Sequence, residues 1–119
     1  MLKVSTRKKS DRSSRRAARL RLGAAVFLRF MRDVAKWTTM VESRLSKLYI
    51  KAGVDNVIEL YAIPRSMKYD FELRRLLSEF VLVQDASQRP ARGMLVPDGT
   101  EEELRAFFDP SECILIAMG

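Results

Sequence analysis

Basic side chains crowd the start of the sequence, and their type and spacing fit the binding of phosphate groups. The guanidinium of arginine donates paired hydrogen bonds to phosphate oxygens, and the ammonium of lysine supplies a compact positive charge. If the segment is helical, several of these side chains lie along one side and can follow a nucleic-acid backbone. We therefore predict that seven residues contact nucleic acid, with RNA favoured: Lys8, Lys9, Arg12, Arg15, Arg16, Arg19 and Arg21.

The charge of the chain is strongly uneven. Residues 1–36 contain 12 Lys or Arg and two acidic residues, Asp11 and Asp33, so their net charge is +10. The other 83 residues contain 10 basic and 13 acidic residues, so their net charge is −3. A block this positive attracts phosphates or an acidic membrane surface. Sequence-specific binding does not follow, because phosphate contacts position a protein without reading the bases.

Other interpretations of the basic segment stay open. Its arginine-rich, serine-rich and acid-poor composition is also that of a mitochondrial presequence, and its paired basic residues fit a nuclear localisation signal. Peripheral contact with an anionic membrane surface is the least favoured alternative. We expect an intracellular protein, nuclear or cytoplasmic, with a mitochondrial location left open.

The side chains that enzymes commonly use are scarce. The chain contains no histidine, which removes the commonest general base and metal ligand. Its single cysteine, Cys113, lies in an apolar run, which favours a core residue in a reducing compartment over a nucleophile. The acidic run at residues 101–103 is more typical of the first turn of a helix than of a metal site. We predict a non-enzymatic binding protein with no metal and no cofactor.

A helical stripe of apolar residues follows the basic arm and predicts an amphipathic segment over residues 17–45, as one rod or as two helices broken near residues 36–39. Gly23 is the only weak point, costing about 1 kcal/mol relative to alanine. Residues 1–16 have too few apolar side chains to offset the entropy of ordering, so we predict a flexible basic arm there. The stripe consists of Leu20, Ala24, Phe27, Met31, Val34, Thr38, Val41, Leu45 and Leu48.

Large apolar side chains of this segment form a second candidate site. A stripe with helical spacing exists to be buried, against the chain's own sheet, a second copy of the chain or another protein. We therefore predict a protein contact, or self-association, through the N-terminal helix at Phe27, Phe30, Met31 and Trp37.

The sequence pattern of residues 46–119 predicts a small α+β domain. Apolar residues alternate at a spacing of two over residues 48–63, and turn residues at 53–56 make this segment a hairpin. Ser66 is predicted to cap a helix that ends at Phe80. Residues 80–83 are then predicted to form a buried strand.

Short elements and turns complete the prediction. Residues 84–93 are predicted to be a loop, and residues 94–96 a short strand that ends at the turn 97–99. Thr100 begins a capping box that predicts a brief helix through Phe108. Residues 113–117 predict the final strand.

This order of elements from residue 46 onward resembles the ubiquitin-like β-grasp family. The resemblance implies a protein-binding module whose sheet face or exposed edge docks a partner. The fold class is therefore predicted as α+β, with a long N-terminal amphipathic helix followed by a small β-grasp-like mixed sheet and one main helix. The favoured function is nucleic-acid binding within a larger assembly. The alternative is a ubiquitin-like interaction adaptor whose basic N-terminus is a localisation signal.

Overall fold

The computed structural model describes residues 2–4, 9–53 and 55–119, with side chains described from residue 12 onward except at position 54. The fold is α+β, as predicted. The elements in chain order are β1 (Leu2–Val4), α1 (Lys9–Leu22), α2 (Ala24–Met40), β2 (Leu45–Ala52), β3 (Ile58–Pro64), α3 (Phe71–Ala86), β4 (Ala91–Leu95), α4 (Glu101–Leu104), a 3-10 turn (Pro110–Glu112) and β5 (Ile114–Met118).

The described strands form one mixed sheet in the order β1-β5-β2-β3-β4. Strand β2 is antiparallel to both of its neighbours, so that Tyr49 lies opposite Tyr61 on β3 and Leu115 on β5. Strands β3 and β4 run parallel and are joined by α3. The predicted hairpin is confirmed, and Asn56 has a φ of 63° in its turn, a left-handed conformation that asparagine tolerates.

Alternation along the strands sends side chains to two cores. The larger core lies between the sheet and the helices α2 and α3, and it contains Phe30, Val34, Leu48, Leu60, Leu73, Leu77 and Ile116. The smaller core lies on the opposite face under α4, and it contains Tyr49, Ile63, Leu104, Phe108, Cys113 and Leu115. The helical segment and the C-terminal part of the chain therefore share one core, and Cys113 is a buried core residue, as predicted.

The helical segment breaks at Gly23 and not near residues 36–39. Gly23 has φ 84° and ψ 147°, backbone angles that are almost confined to glycine. Residues 36–39 stay helical because Trp37 and Thr38 are buried, and the Thr38 Oγ1 donates a hydrogen bond of 2.9 Å to the Val34 carbonyl. The predicted stripe does not continue across the break, because the change of backbone direction at Gly23 alters which side of the helix faces the core. Leu20, a predicted member of the stripe, is 76% exposed.

Order also begins earlier than predicted. Residues 2–4 pair with β5, and α1 begins at Lys9, so these parts of the predicted basic arm have regular secondary structure. Helix α1 contains few apolar side chains of its own. It is instead held by contact with the body of the protein, where the small side chains of Ser14 and Ala18 lie against β2 and the 3-10 turn.

Helix α3 differs from its prediction at both ends. Asp70, and not Ser66, is the N-cap, and its side chain accepts a hydrogen bond from the Leu73 amide. The strand predicted at residues 80–83 is part of the helix, because Phe80 and Gln84 continue the buried face at helical spacing.

The elements after α3 agree more closely with their predictions. The predicted loop is confined to residues 87–90, between α3 and β4. The capping box at Thr100 is confirmed, although α4 ends at Leu104 and not at Phe108. The strand predicted at residues 80–83 was one of the elements on which the β-grasp resemblance was based, and this segment is helical. The ubiquitin-like relationship stays a prediction.

Gly23 provides a test of the helix break. We expect Gly23→Ala to lower the free energy of unfolding by about 1–3 kcal/mol, because the positive φ disfavours any residue with a Cβ. The added Cβ would meet no atom within 4 Å, so the backbone angle alone is responsible. Urea unfolding followed by circular dichroism measures the change. Unchanged stability with increased helix content would show instead that α1 and α2 can fuse into one rod.

Candidate nucleic-acid interface

Helix α1 displays basic side chains along its solvent side. Arg12, Arg16 and Arg19 are exposed at spacings of four and three, on the side opposite the buried Ser14 and Ala18. These three arginines are called the α1 cationic face. The prediction that basic residues of this segment share one side of a helix is confirmed for them.

The other predicted phosphate contacts are placed differently. Arg15 is half-buried and already has an interaction partner. Arg21 lies at the opposite side of the helix, where its Nη1 donates to the Ala52 carbonyl at 3.4 Å. The backbone of Lys9 begins α1, but its side chain is outside the described part of the chain. Lys8 lies outside the described residues altogether.

Helix α2 adds basic residues that the site prediction did not include. Arg29, Arg32 and Lys36 are exposed at spacings of three and four, and they are called the α2 cationic face. The sequence could have identified them, because these basic residues lie between the apolar residues of the stripe and so fall on the opposite, exposed side of the helix. They were overlooked because the density of basic residues is highest before residue 22.

Carboxylates of the described residues do not neutralise these two faces. Within the described residues, no Asp or Glu side chain lies within ion-pair distance of either face. The one acidic residue between residues 12 and 40 is Asp33, whose Oδ2 accepts hydrogen bonds from Arg89 at 2.8 Å and from Gln84 at 3.1 Å. The acidic charge on α2 is therefore already used to hold the end of α3.

Helix α3 provides a contrast within the same protein. Arg75 is bound by both Glu72 and Glu79, and its pKa is raised chiefly by the hydrogen bond from its guanidinium to Glu72. Such a pair leaves little net charge for an outside partner. Arg75 on α3 is thus paired, whereas the α1 and α2 cationic faces have no carboxylate partner among the described residues.

The predicted protein-contact residues lie in the chain's own core. Phe27, Phe30 and Trp37 are buried, and Met31 is half-buried. Trp37 packs on Phe80 of α3 with ring centroids 5.3 Å apart, and its Nε1 lies 3.3 Å from the Leu76 carbonyl that accepts its hydrogen bond. Of the three alternatives for covering the stripe, the chain's own fold is the one observed. These rings are not displayed to a partner.

A cleft that the sequence did not predict opens where β3 and β4 end. The two strands are parallel, so their carboxyl ends meet at one edge of the sheet, a common place for ligand sites in α/β units. We call it the β3–β4 cleft; its volume is about 590 Å³. Its lining includes Ser46, Arg65, Ser66, Met67, Lys68, Tyr69, Pro97 and Asp98.

The loop of residues 65–70 forms one wall of this cleft and is fixed at both ends. At its start, Arg65 donates to the Glu42 carbonyl at 2.7 Å and to the Gly119 carbonyl at 3.1 Å. At its end, Asp70 accepts a hydrogen bond from the Leu73 amide and pairs with Arg44 at 3.0 Å. The backbone hydrogen bond, and then Arg44, hold the pKa of Asp70 below its ordinary value.

Aromatic side chains stand exposed beside the cleft. Tyr69 and Phe71 are 50% and 77% exposed, with ring centroids 4.7 Å apart and planes at 71°. They are called the ring pair. Arg74 donates to the Tyr69 hydroxyl at 3.2 Å, which places a cation at the edge of the pair. Met67 next to them is fully exposed.

Comparison with protein families, with curated proteins and with solved structures gave no match for this chain. Across the part of the chain that the structure describes, none of the helices combines the length and apolar character that crossing a membrane requires.

Asp70 provides a test of how the cleft wall is held. Asp70→Ala removes the acceptor for the Leu73 amide and the partner of Arg44, and we expect it to lower the free energy of unfolding by about 0.5–2 kcal/mol. Asp70→Asn keeps an acceptor and loses the charge, so it should cost less. Urea unfolding at neutral pH compares the two variants. Equal losses would show that the charge, and not the cap, matters.

The pH dependence of the same residue follows from its lowered pKa. A carboxyl group with a lower pKa in the folded protein stabilises the fold above its unfolded pKa, and this stabilisation is lost as the pH falls through the folded pKa. The stability difference between wild type and Asp70→Asn should therefore shrink below about pH 4. A difference that stays constant in more acidic solution would contradict the role of the ionised carboxylate.

Proposed function

We propose that this protein binds the phosphate backbone of nucleic acid through the α1 and α2 cationic faces, with RNA favoured, as a non-enzymatic component of a larger assembly. The observation that carries the proposal is the set of exposed basic side chains that no carboxylate of the described chain neutralises. Such a protein would act inside the cell, in the nucleus or the cytoplasm.

The physical basis is the release of counterions. Each arginine or lysine that neutralises a phosphate frees ions condensed on the nucleic acid, so binding is favoured by entropy and weakens steeply with salt. The six basic residues of the two faces lie on helices held against the sheet by buried side chains. The backbone positions of these residues are therefore set before the partner arrives, which reduces the entropy lost on binding.

A second candidate is peripheral binding to an anionic membrane surface. Leu20 and Leu28 are exposed on the same two helices as the cationic faces. Basic residues combined with exposed apolar side chains are typical of helices that lie on membranes. Binding to vesicles that contain anionic lipid, measured against binding to RNA, separates this candidate from the first.

Neutralising the cationic faces tests the proposal. We expect the triple variants Arg12→Gln/Arg16→Gln/Arg19→Gln and Arg29→Gln/Arg32→Gln/Lys36→Gln to weaken binding to a generic RNA. The slope of log affinity against log salt should fall by about two to three units, since each phosphate contact contributes roughly 0.7 to 0.9. Fluorescence anisotropy over a series of salt concentrations measures both quantities.

The matched control removes the same charge elsewhere. In Arg75→Gln/Arg92→Gln/Arg105→Gln, the first two arginines pair with carboxylates, and all three side chains are exposed on other elements. Affinity and salt slope should stay close to wild type. If the control and the cationic-face variants lose affinity equally, net charge alone governs binding and the proposed interface is wrong.

A further inference from the structure

We infer that the ring pair and the adjoining β3–β4 cleft bind an unpaired nucleotide of single-stranded RNA. This inference rests on the proposed function and deepens it, because it names the form of nucleic acid. The cationic faces account for phosphate contacts alone and do not distinguish paired from unpaired bases.

Exposed rings are the first observation. Tyr69 and Phe71 contact each other edge to face, an arrangement that leaves ring surface open to solvent. Nucleobases stack on such surfaces with little dependence on sequence, because every base has a π face. Single exposed apolar side chains are common on proteins, whereas Tyr69 and Phe71 are both exposed and also touch each other.

Charge around the ring pair is the second observation. Among the described residues, Lys68 and Arg74 have no carboxylate within ion-pair distance. The nearby acids are already bound, since Asp70 pairs with Arg44 and Glu72 pairs with Arg75. A nucleotide whose base stacks on the ring pair therefore meets unpaired cations for its flanking phosphates. Aromatic rings interleaved with such cations are typical of single-strand binding surfaces.

The cleft is the third observation. Its volume of about 590 Å³ lies within the range of small-ligand sites, which extends from roughly 300 to 1,000 Å³. The hydroxyls of Ser46 and Ser66 and the carboxylate of Asp98 line it. A ribose 2′-hydroxyl both donates and accepts hydrogen bonds, and these groups can satisfy both needs. This lining favours RNA over DNA.

The test compares a short fluorescein-labelled oligouridylate with a blunt RNA duplex and with the matching oligodeoxyuridylate. We expect wild type to bind the single-stranded RNA more tightly than either of the other two. Tyr69→Ala/Phe71→Ala should weaken single-strand binding by about fivefold to a hundredfold, the range for one stacked base. Its salt slope and its duplex affinity should not change, because no charge is removed.

Two further variants control the result. Tyr69→Phe/Phe71→Tyr keeps both rings and should bind the single strand within about twofold of wild type, since stacking tolerates either ring. Phe107→Ala removes another exposed ring, 49% exposed and distant in sequence, and should have no effect. Circular dichroism checks that the variants fold. We expect them to fold, because the replaced rings are exposed and contribute little to the core.

Each outcome has a separate meaning. If the double alanine variant binds the single strand as wild type does, or loses duplex affinity to the same extent, the ring pair is not a stacking site. Equal affinity for the ribose and deoxyribose strands would overturn the assignment to RNA. Failure of the proposed function has another signature, namely no loss of affinity when the cationic faces are neutralised.

Discussion

The burial of one face of α2 decides which of its side chains are exposed to solvent. The α2 side chains of Phe30 and Val34 are almost completely buried, and Trp37 of the same helix packs against Phe80 of α3. Residues at helical spacing share a face, so this packing turns the α2 cationic face to solvent. Hydrophobic contact anchors the helix there, together with the Asp33–Arg89 ion pair and the hydrogen bond from Trp37 to the Leu76 carbonyl. The basic side chains of the α2 cationic face therefore do not hold the helix in place and need no carboxylate partners.

Periodicity predicted the fold where one face of an element is buried. The hairpin was predicted from its alternation and its turn residues, although different cores cover its two faces, and the capping box at Thr100 is a local signal that needs no tertiary partner. Residues 80–83 misled the prediction because three β-branched or aromatic side chains in four positions favour a strand by propensity. The wider helical face that begins at Leu73 outweighs that local preference. Gly23 was recognised as a weak point, but a positive φ cannot be read from composition.

The candidate site was only partly predictable for a different reason. Charge density identified the basic segment, yet it could not distinguish Arg21, which turns to a backbone carbonyl, from Arg16 on the open side of the same helix. That distinction depends on which face of α1 lies on β2. The cleft arises from segments far apart in sequence that meet at the ends of parallel strands. No local pattern encodes such a meeting.

The sheet order also bears on how the chain reaches its native state. The β2–β3 hairpin joins neighbouring segments, whereas the other side of β2 pairs with β5, so that Lys47 lies opposite Ala117. Contacts between residues so distant in sequence require a large loop to close first, which slows folding. Until β5 arrives, the hairpin exposes the backbone of an apolar strand, a state prone to intermolecular association. Refolding yield should therefore fall as protein concentration rises, even though the finished sheet covers that strand.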